Sequence, residues 1–125
     1  MSGRLPLFVY GTLQAGGPQG ALLAGLDRRP AWIRGLLYGL PAGYPAVVLG
    51  GDGRVHGELV DPPDDRLLGL LDRYEGVDEG LYARVRCDVQ LGLRVEPAWV
   101  YAMEAARART GRLVPDGRWH RTRIR

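Results

Sequence analysis

The centre of the chain, residues 31–60, reads AWIRGLLYGLPAGYPAVVLGGDGRVHGELV. Short apolar runs at 31–38, 46–49 and 55–60 are bounded by glycine and proline, a pattern that is typical of β-strands. The glycine-rich segment 50–53 predicts a turn between the second run and the third. The sequence therefore predicts three strands in this part of the chain.

A helix is predicted directly after these strands. Pro62-Pro63-Asp64-Asp65 indicates its start, because prolines suit a first turn and acidic side chains complement the positive end of the helix dipole. Gly76 indicates its end. The expected apolar stripe of this helix consists of Leu67, Leu70, Leu71 and Tyr74.

Further strands are predicted on both sides of this region. Residues 82–89 alternate between apolar and polar side chains, and residues 95–101 form another apolar run, in which Pro97 implies a sheet edge or a bulge. At the N-terminal end, residues 5–10 suit a short buried strand, and residues 19–26 predict one or two helical turns. Many short strands and one clear helix favour an α+β fold with a barrel-like sheet over a doubly wound parallel sheet.

The length and the cysteine count limit what the protein can be. At 125 residues the chain has the size of one domain, and we predict a single domain over residues 1–125. Cys87 is the single cysteine and cannot form an intrachain disulfide, and the two histidines are far from it in sequence. This scatter lacks the spacing of a zinc site, so we expect catalysis by ordinary side chains and backbone, with no metal and no cofactor.

The basic charge of the chain is concentrated at its C-terminal end. All 17 basic residues are arginine, and the formal net charge is +3. Residues 107–125 hold seven arginines and one acid, whereas the first 106 residues hold ten arginines and thirteen acids. Blocks of like charge are usually solvated or pair with an acidic body, so we do not expect nucleic acid to bind the arginine-rich tail at 120–125.

The N-terminal apolar run is too short to act as a membrane segment. It spans six residues, 5–10, far fewer than the core of a signal peptide or a membrane span requires. We therefore expect a cytoplasmic protein that does not associate with a membrane. Separately, we expect a monomer or a homodimer.

The first candidate site is Tyr10-Gly11-Thr12-Leu13, where the predicted N-terminal strand runs into a glycine turn. Unpaired backbone N–H groups at such a turn can bind a carboxylate or an oxyanion. Glycine turns after buried strands are mostly structural, so this tetrapeptide alone is open to either interpretation.

The second candidate is Glu75, in the last turn of the predicted helix. At about 100° per residue, its side chain lies between the directions of Leu68 and Leu71, on the inward face. Desolvation and the helix dipole both favour the neutral acid, so we predict a raised pKa, as a general acid/base near neutral pH requires. The alternative is a frayed helix end, with Glu75 turned outward to pair with Arg73 or Arg84.

Other polar and aromatic side chains carry weaker signals. Asp72 is expected on the solvent side of the helix, as a surface charge or a cap partner. Glu58 and His56 could share one face of a strand, and such a face is more often solvated than functional. The tyrosines at strand ends are typical of core or interface positions, although together they could line a pocket. They are Tyr10, Tyr38, Tyr44, Tyr82 and Tyr101.

A set of segments that carries these features runs through nearly the whole chain. In order they are Phe8-Val9-Tyr10-Gly11-Thr12-Leu13, Gly35-Leu36-Leu37-Tyr38-Gly39-Leu40, Gly43-Tyr44-Pro45-Ala46-Val47-Val48, Val55-His56-Gly57-Glu58-Leu59-Val60, Leu70-Leu71-Asp72-Arg73-Tyr74-Glu75-Gly76-Val77, Tyr82-Ala83-Arg84, Ala98-Trp99-Val100-Tyr101 and Gly117-Arg118-Trp119. The ordered set resembles the γ-glutamylcyclotransferase-like superfamily, which includes the AIG2-like proteins.

The resemblance implies a small mixed β-barrel with helices packed outside it, and a cofactor-independent enzyme with a small γ-glutamyl substrate. In the implied reaction, the free α-amine of a γ-glutamyl group attacks its own γ-amide carbonyl. The attack releases 5-oxoproline together with an amine or an amino acid.

The resemblance also implies roles for particular residues. Glu75 matches the acid/base of the family, and the floor of the pocket matches Tyr10, Gly11, Thr12 and Leu13. Tyr82 and Tyr101 match positions that line the cavity and would orient the γ-glutamyl group. By strand parity Tyr82 shares a face with Arg84, so either that face lines the pocket or Tyr82 belongs to the preceding loop.

Two alternative functions stay open at this point. The first is a related acyl transfer or deprotection step on a γ-glutamyl-tagged pathway intermediate. The second is a binding module without catalysis, in which the arginine-rich tail recognises nucleic acid or an acidic partner.

Overall fold

The structure is a computed structural model that describes residues 4–119. The strands are β1 (Leu7–Val9), β2 (Arg28–Gly39), β3 (Pro45–Val60), β4 (Ala83–Leu91), β5 (Arg94–Ala102) and β6 (Arg112–Leu113). The α-helices are α1 (Asp65–Tyr74) and α2 (Ala105–Ala108), and two short 3-10 helices cover Gly20–Leu23 and Val77–Glu79.

The first five strands form a closed ring in the order β1, β3, β2, β4, β5. The pairs β1–β3, β3–β2, β2–β4 and β4–β5 are antiparallel, and the ring closes through a parallel contact between Leu7 of β1 and Trp99 of β5. The short β6 pairs with the end of β2. The predicted α+β class, a small mixed β-barrel with a few flanking helices, is confirmed.

Strand β1 is buried on both faces, which explains why it reads as a continuous apolar run. Phe8 belongs to the apolar cluster that all five barrel strands share, whereas Leu7 and Val9 pack in a second cluster with Leu71 of α1. Leu13, in the loop after β1, joins the second cluster. The last turns of α1 therefore lie against the outside of the barrel, beside that loop.

Helix α1 starts slightly later than predicted. The carboxylate of Asp64 accepts a hydrogen bond from the N–H of Leu67 at 2.8 Å, so Asp64 is the N-cap and both prolines precede the helix. Gly76 ends the helix as predicted, with a left-handed φ of 69° that glycine adopts readily.

The predicted apolar stripe of α1 is partly wrong. Leu67 and Leu71 pack against the barrel, but Leu70 and Tyr74 are 50% and 43% exposed. The inward face continues instead from Leu71 to Glu75, because residues four apart lie on one side of a helix.

Residues 50–53 form a bulge within β3, and the prediction of a turn between two strands is wrong. The register of β3 on β2 changes between Arg34 and Gly35, whose partners are Arg54 and Leu49. Gly50 and Gly51 have positive φ angles, which glycine tolerates without strain. Because β2 pairs with β3 on both sides of the bulge, the two predicted strands are one.

Three expectations concern the C-terminal tail, the number of domains and membrane association. The arginine-rich tail at 120–125 lies outside the described residues, and the single-domain assignment stays a prediction. Within residues 4–119, no helix has the length and apolar character needed to cross a bilayer.

Candidate active site

The loop after β1, residues 10–18, forms one wall of the main cavity, and we call it the loop wall. The N–H of Gln14 donates to the carbonyl of Gly11 at 3.1 Å, which turns the chain directly after the strand. The N–H groups of Gly11, Thr12 and Leu13 have no acceptor within residues 4–119. The loop wall therefore offers unpaired backbone donors to a ligand.

An ion pair behind the loop wall holds it in place. Arg28 donates to Glu58 at 2.8 Å and to the carbonyls of Leu13 and Gly20 at 2.9 and 2.8 Å. The same Glu58 oxygen accepts the N–H of Ala15 at 2.9 Å. The expectation that Glu58 stands on a solvated strand face is wrong, since this carboxylate links two strands to the loop.

The opposite wall, which we call the helix wall, consists of Tyr74, Glu75, Tyr82 and Tyr101. Glu75 keeps helical angles, and its N–H donates to the carbonyl of Leu71 at 2.8 Å, so the helix end is not frayed. Its carboxyl is half-buried and forms no ion pair within the described part of the chain. Burial raises the pKa of Glu75 to about 7.

The hydroxyl protons of three cavity tyrosines are directed at protein acceptors. Tyr10 donates to the carbonyl of Tyr101 at 2.6 Å, and Tyr82 donates to the carbonyl of Pro45 at 2.6 Å. Tyr101 donates to Asp72 at 2.7 Å. The buried hydroxyl of Tyr10 also accepts the N–H of Val47 at 3.3 Å. A hydroxyl has one proton and two lone pairs, so the oxygens of Tyr82 and Tyr101 can accept a hydrogen bond from a ligand but not donate one.

The carboxylate of Asp72 is the main contact that the sequence did not reveal. Arg84 donates to both of its oxygens, at 2.8 and 3.1 Å, and the guanidinium lies 4.4 Å from the ring centre of Trp99. The expectation that Asp72 is a surface charge or a cap partner is wrong, as is the alternative that Arg84 pairs with Glu75.

Strand β4 begins at Ala83, so Tyr82 belongs to the preceding loop.

A cavity of about 830 Å³ lies between the two walls. Thr12 of the loop wall and Tyr74 of the helix wall share a hydrogen bond of 3.1 Å. Residue 11 is glycine because a Cβ there would overlap the ring of Pro45. Every residue predicted for the site lines this cavity, namely Tyr10, Gly11, Thr12, Leu13, Glu75, Tyr82 and Tyr101. Trp119, which also lines it, was not predicted as a site residue.

The two walls suit different parts of a ligand. The unpaired N–H groups of the loop wall favour an anion, whereas the helix wall offers hydroxyl oxygens that suit a cation. Glu75, with a pKa of about 7, can take up and release a proton near neutral pH. Among residues 4–119, no three His, Cys, Asp or Glu side chains are grouped closely enough to hold a metal ion.

Comparisons with known proteins identify one family. The family model described as gamma-glutamyl cyclotransferase, AIG2-like, matches residues 7–121. The chain is 40% identical over 103 residues to gamma-glutamylaminecyclotransferase from Bos taurus, a match that covers 72% of this chain and 60% of the bovine protein.

Solved structures share the fold. YkqA from Bacillus subtilis is 26% identical with a TM-score of 0.75, over 93% of this chain and 39% of that one. An AIG2-like protein from Mus musculus is 22% identical, also with a TM-score of 0.75, over 94% of this chain and 88% of that one. Because the family model extends over both walls of the cavity and the whole barrel, the chain belongs to the AIG2-like gamma-glutamyl cyclotransferase family.

Proposed function

We propose that this protein is a γ-glutamylamine cyclotransferase, which converts a γ-glutamyl amine into 5-oxoproline and a free amine. The observation that carries the proposal is a carboxyl, that of Glu75, which has a pKa near 7 and no ion pair within residues 4–119, in a cavity that is also lined by backbone donors without an acceptor in that part of the chain. The name of the bovine relative supports the substrate class.

The reaction rearranges bonds within one substrate molecule. The α-nitrogen attacks the γ-carbonyl carbon, and the new C–N bond closes a five-membered ring. The bond from that carbon to the leaving nitrogen then breaks, and no water is consumed. Because the attack is intramolecular, a cavity that holds the cyclising conformer supplies much of the rate acceleration.

Glu75 moves the proton that this exchange requires. As a carboxylate it takes a proton from the α-ammonium, which frees the lone pair for attack, and it then protonates the departing nitrogen. The attacking nitrogen loses its second proton as the ring forms, and the released amine takes it up, so the products are 5-oxoproline and the protonated amine. We therefore expect kcat/KM to rise with pH through about 7, because only the ionised form of Glu75 can accept that proton.

The two walls supply the binding contacts in this proposal. The N–H groups of Gly11, Thr12 and Leu13 bind the α-carboxylate or the developing oxyanion. The oxygens of Tyr82 and Tyr101 accept hydrogen bonds from the α-ammonium, since their own protons are already donated to the protein.

The test is the release of 5-oxoproline from a panel of γ-glutamyl amines and γ-glutamyl amino acids, including glutathione. We expect Glu75→Gln to lower kcat by about 1,000-fold, since general acid–base catalysis contributes factors of this order. The matched control is Glu79→Gln, four residues away and exposed, which should retain activity. Turnover of no compound would overturn the proposed function, and equal turnover by Glu75→Gln would overturn the mechanism.

A further inference from the structure

A second cleft, of about 390 Å³, adjoins the main cavity. The two share Gln14 and Trp119 in their linings, and the second cleft is also lined by Trp32, His56 and Arg118. A ligand whose γ-glutamyl end fills the main cavity can therefore extend past Trp119 into the second cleft.

A glycine turn fixes the residues at this junction. The N–H of His56 donates to the carbonyl of Gly117 at 2.8 Å, which holds the turn against β3. Gly117 has a φ of 67°, and a Cβ there would overlap the carbonyl of Arg54. The close approach places Arg118 and Trp119 beside β3, where both line the second cleft.

Arg118 lines the second cleft, and Arg54 lies against the lining residue Trp32. Arg54 lies 4.2 Å from the ring centre of Trp32, and no ion pair involves Arg54 or Arg118 among residues 4–119. The acid in the lining, Glu58, already binds Arg28 and a backbone N–H. Asp116 is close by and accepts the backbone N–H of Arg118 at 3.1 Å.

The titration of His56 agrees with this distribution of charge. Its pKa is lowered by partial burial first and then by Arg118 and Arg54, while Asp116 acts in the opposite sense. An anion bound in the second cleft would offset the two arginines and raise the pKa of His56.

We propose that the second cleft binds an acidic group carried by the leaving amine, with Arg118 as its main partner. The inference rests on the proposed function. In this arrangement the chain of the leaving amine passes along Trp119, and its terminal carboxylate meets the guanidinium of Arg118, a charge-assisted contact. The preferred substrates are then γ-glutamyl conjugates of amines that end in a carboxylate.

The experiment compares matched pairs of substrates. Each pair joins the γ-glutamyl group to a short ω-amino acid or to its neutral carboxamide, in a series of graded chain length. For the wild-type chain we expect kcat/KM to favour the acid by about tenfold at the best length. Arg118→Ala should abolish that preference, whereas Arg66→Ala, which removes an exposed arginine of α1, should keep it.

The ratio of the two substrates separates specificity from folding, because a misfolded variant loses activity on both. A second measurement is the pKa of His56 by NMR, which should rise when the free ω-amino acid is added and should not respond to the carboxamide. An equal rate for acid and carboxamide at every length would overturn the inference and leave the proposed function standing. Failure of both substrates to yield 5-oxoproline would overturn the proposed function itself.

Discussion

The loop wall and the helix wall are built on the same plan but differ in what they show to the cavity. Each has an arginine–carboxylate pair behind it, Arg28 with Glu58 and Arg84 with Asp72. None of these four side chains lines the main cavity. The Arg28–Glu58 pair holds the backbone of the loop wall, and the Arg84–Asp72 pair holds the hydroxyl of Tyr101 in the helix wall.

The difference indicates how charge is used in this protein. Two carboxylates are neutralised by arginine, whereas Glu75 is left without a partner within residues 4–119 and has a raised pKa. Ionising a partly buried carboxyl costs stability, because burial penalises the charged form. The raised pKa that results makes proton transfer near neutral pH possible. In the proposed function, this cavity places an acid/base beside hydrogen-bond acceptors and backbone donors, an arrangement that suits a zwitterionic α-amino acid end group.

The largest effect on folding is expected when the pair behind the loop wall is broken. Arg28→Ala removes the donor of two carbonyls and leaves Glu58 with the N–H of Ala15 but without its balancing charge, so we expect the free energy of unfolding to fall by about 3 kcal/mol. The unpaired N–H groups of the loop wall would shift with it, so kcat/KM should drop by about 100-fold. Denaturant unfolding and the 5-oxoproline assay measure the two effects.

The neighbouring residue provides the control for this change. Arg29 is more exposed and lies 3.7 Å from Glu96, so Arg29→Ala should cost less than about 0.5 kcal/mol. Equal losses in the two variants would show that the pair behind the loop wall has no special role.

A smaller effect of opposite sign is expected from Glu75→Gln in the helix wall. Between the usual carboxyl pKa of 4.5 and about 7, the folded protein holds a proton that the unfolded chain has released. Rising pH therefore lowers the free energy of unfolding of the wild-type chain in this window. Glutamine does not ionise, so the variant avoids burying a charge at alkaline pH. There it should be more stable than the wild type by about 2 kcal/mol.

The same comparison at low pH tests the cause. Below the unfolded pKa, Glu75 is protonated in both states, so the variant and the wild type should unfold with the same free energy. Denaturant titrations at several pH values give the difference directly. A constant gain at every pH would mean that the variant is stabilised by packing and not by the loss of a buried charge.

The sequence predicts features that depend on local spacing. Strand alternation, the glycine stop of α1 and the four-residue interval from Leu71 to Glu75 are all local, and the structure contains each of them. The prediction of a turn at residues 50–53 is wrong, because a glycine-rich turn and a glycine-rich bulge have similar sequences. Only the pairing with β2 distinguishes them.

The contacts that hold the walls depend on the closed sheet. Asp72 and Arg84 are 12 positions apart, and Arg28 and Glu58 are 30 apart, so no periodicity relates them. The predicted position of Asp72 was wrong for a further reason. The predicted apolar stripe included Leu70 and Tyr74, whereas the inward face of the helix is rotated toward Glu75 and brings Asp72 partly inside.

The smallest effect is expected from Asp72→Asn, which tests whether Glu75 responds to the Arg84–Asp72 pair. Tyr101 links the two, since it donates to Asp72 and its pKa is raised first by burial, then by Asp72 and also by Glu75. The amide keeps an oxygen for the hydroxyl of Tyr101, but the charge of Arg84 is no longer balanced. A nearby positive charge favours an ionised carboxyl, so the pKa of Glu75 should fall and the acidic limb of the kcat/KM profile should move to lower pH. We expect kcat/KM at neutral pH to drop by about tenfold, because Tyr101 is held less firmly.

The control is Asp78→Asn, which changes an exposed carboxyl and should produce neither effect. If the acidic limb of the Asp72→Asn profile does not shift, the pKa of Glu75 does not depend on the charge of Asp72, and the prediction is wrong.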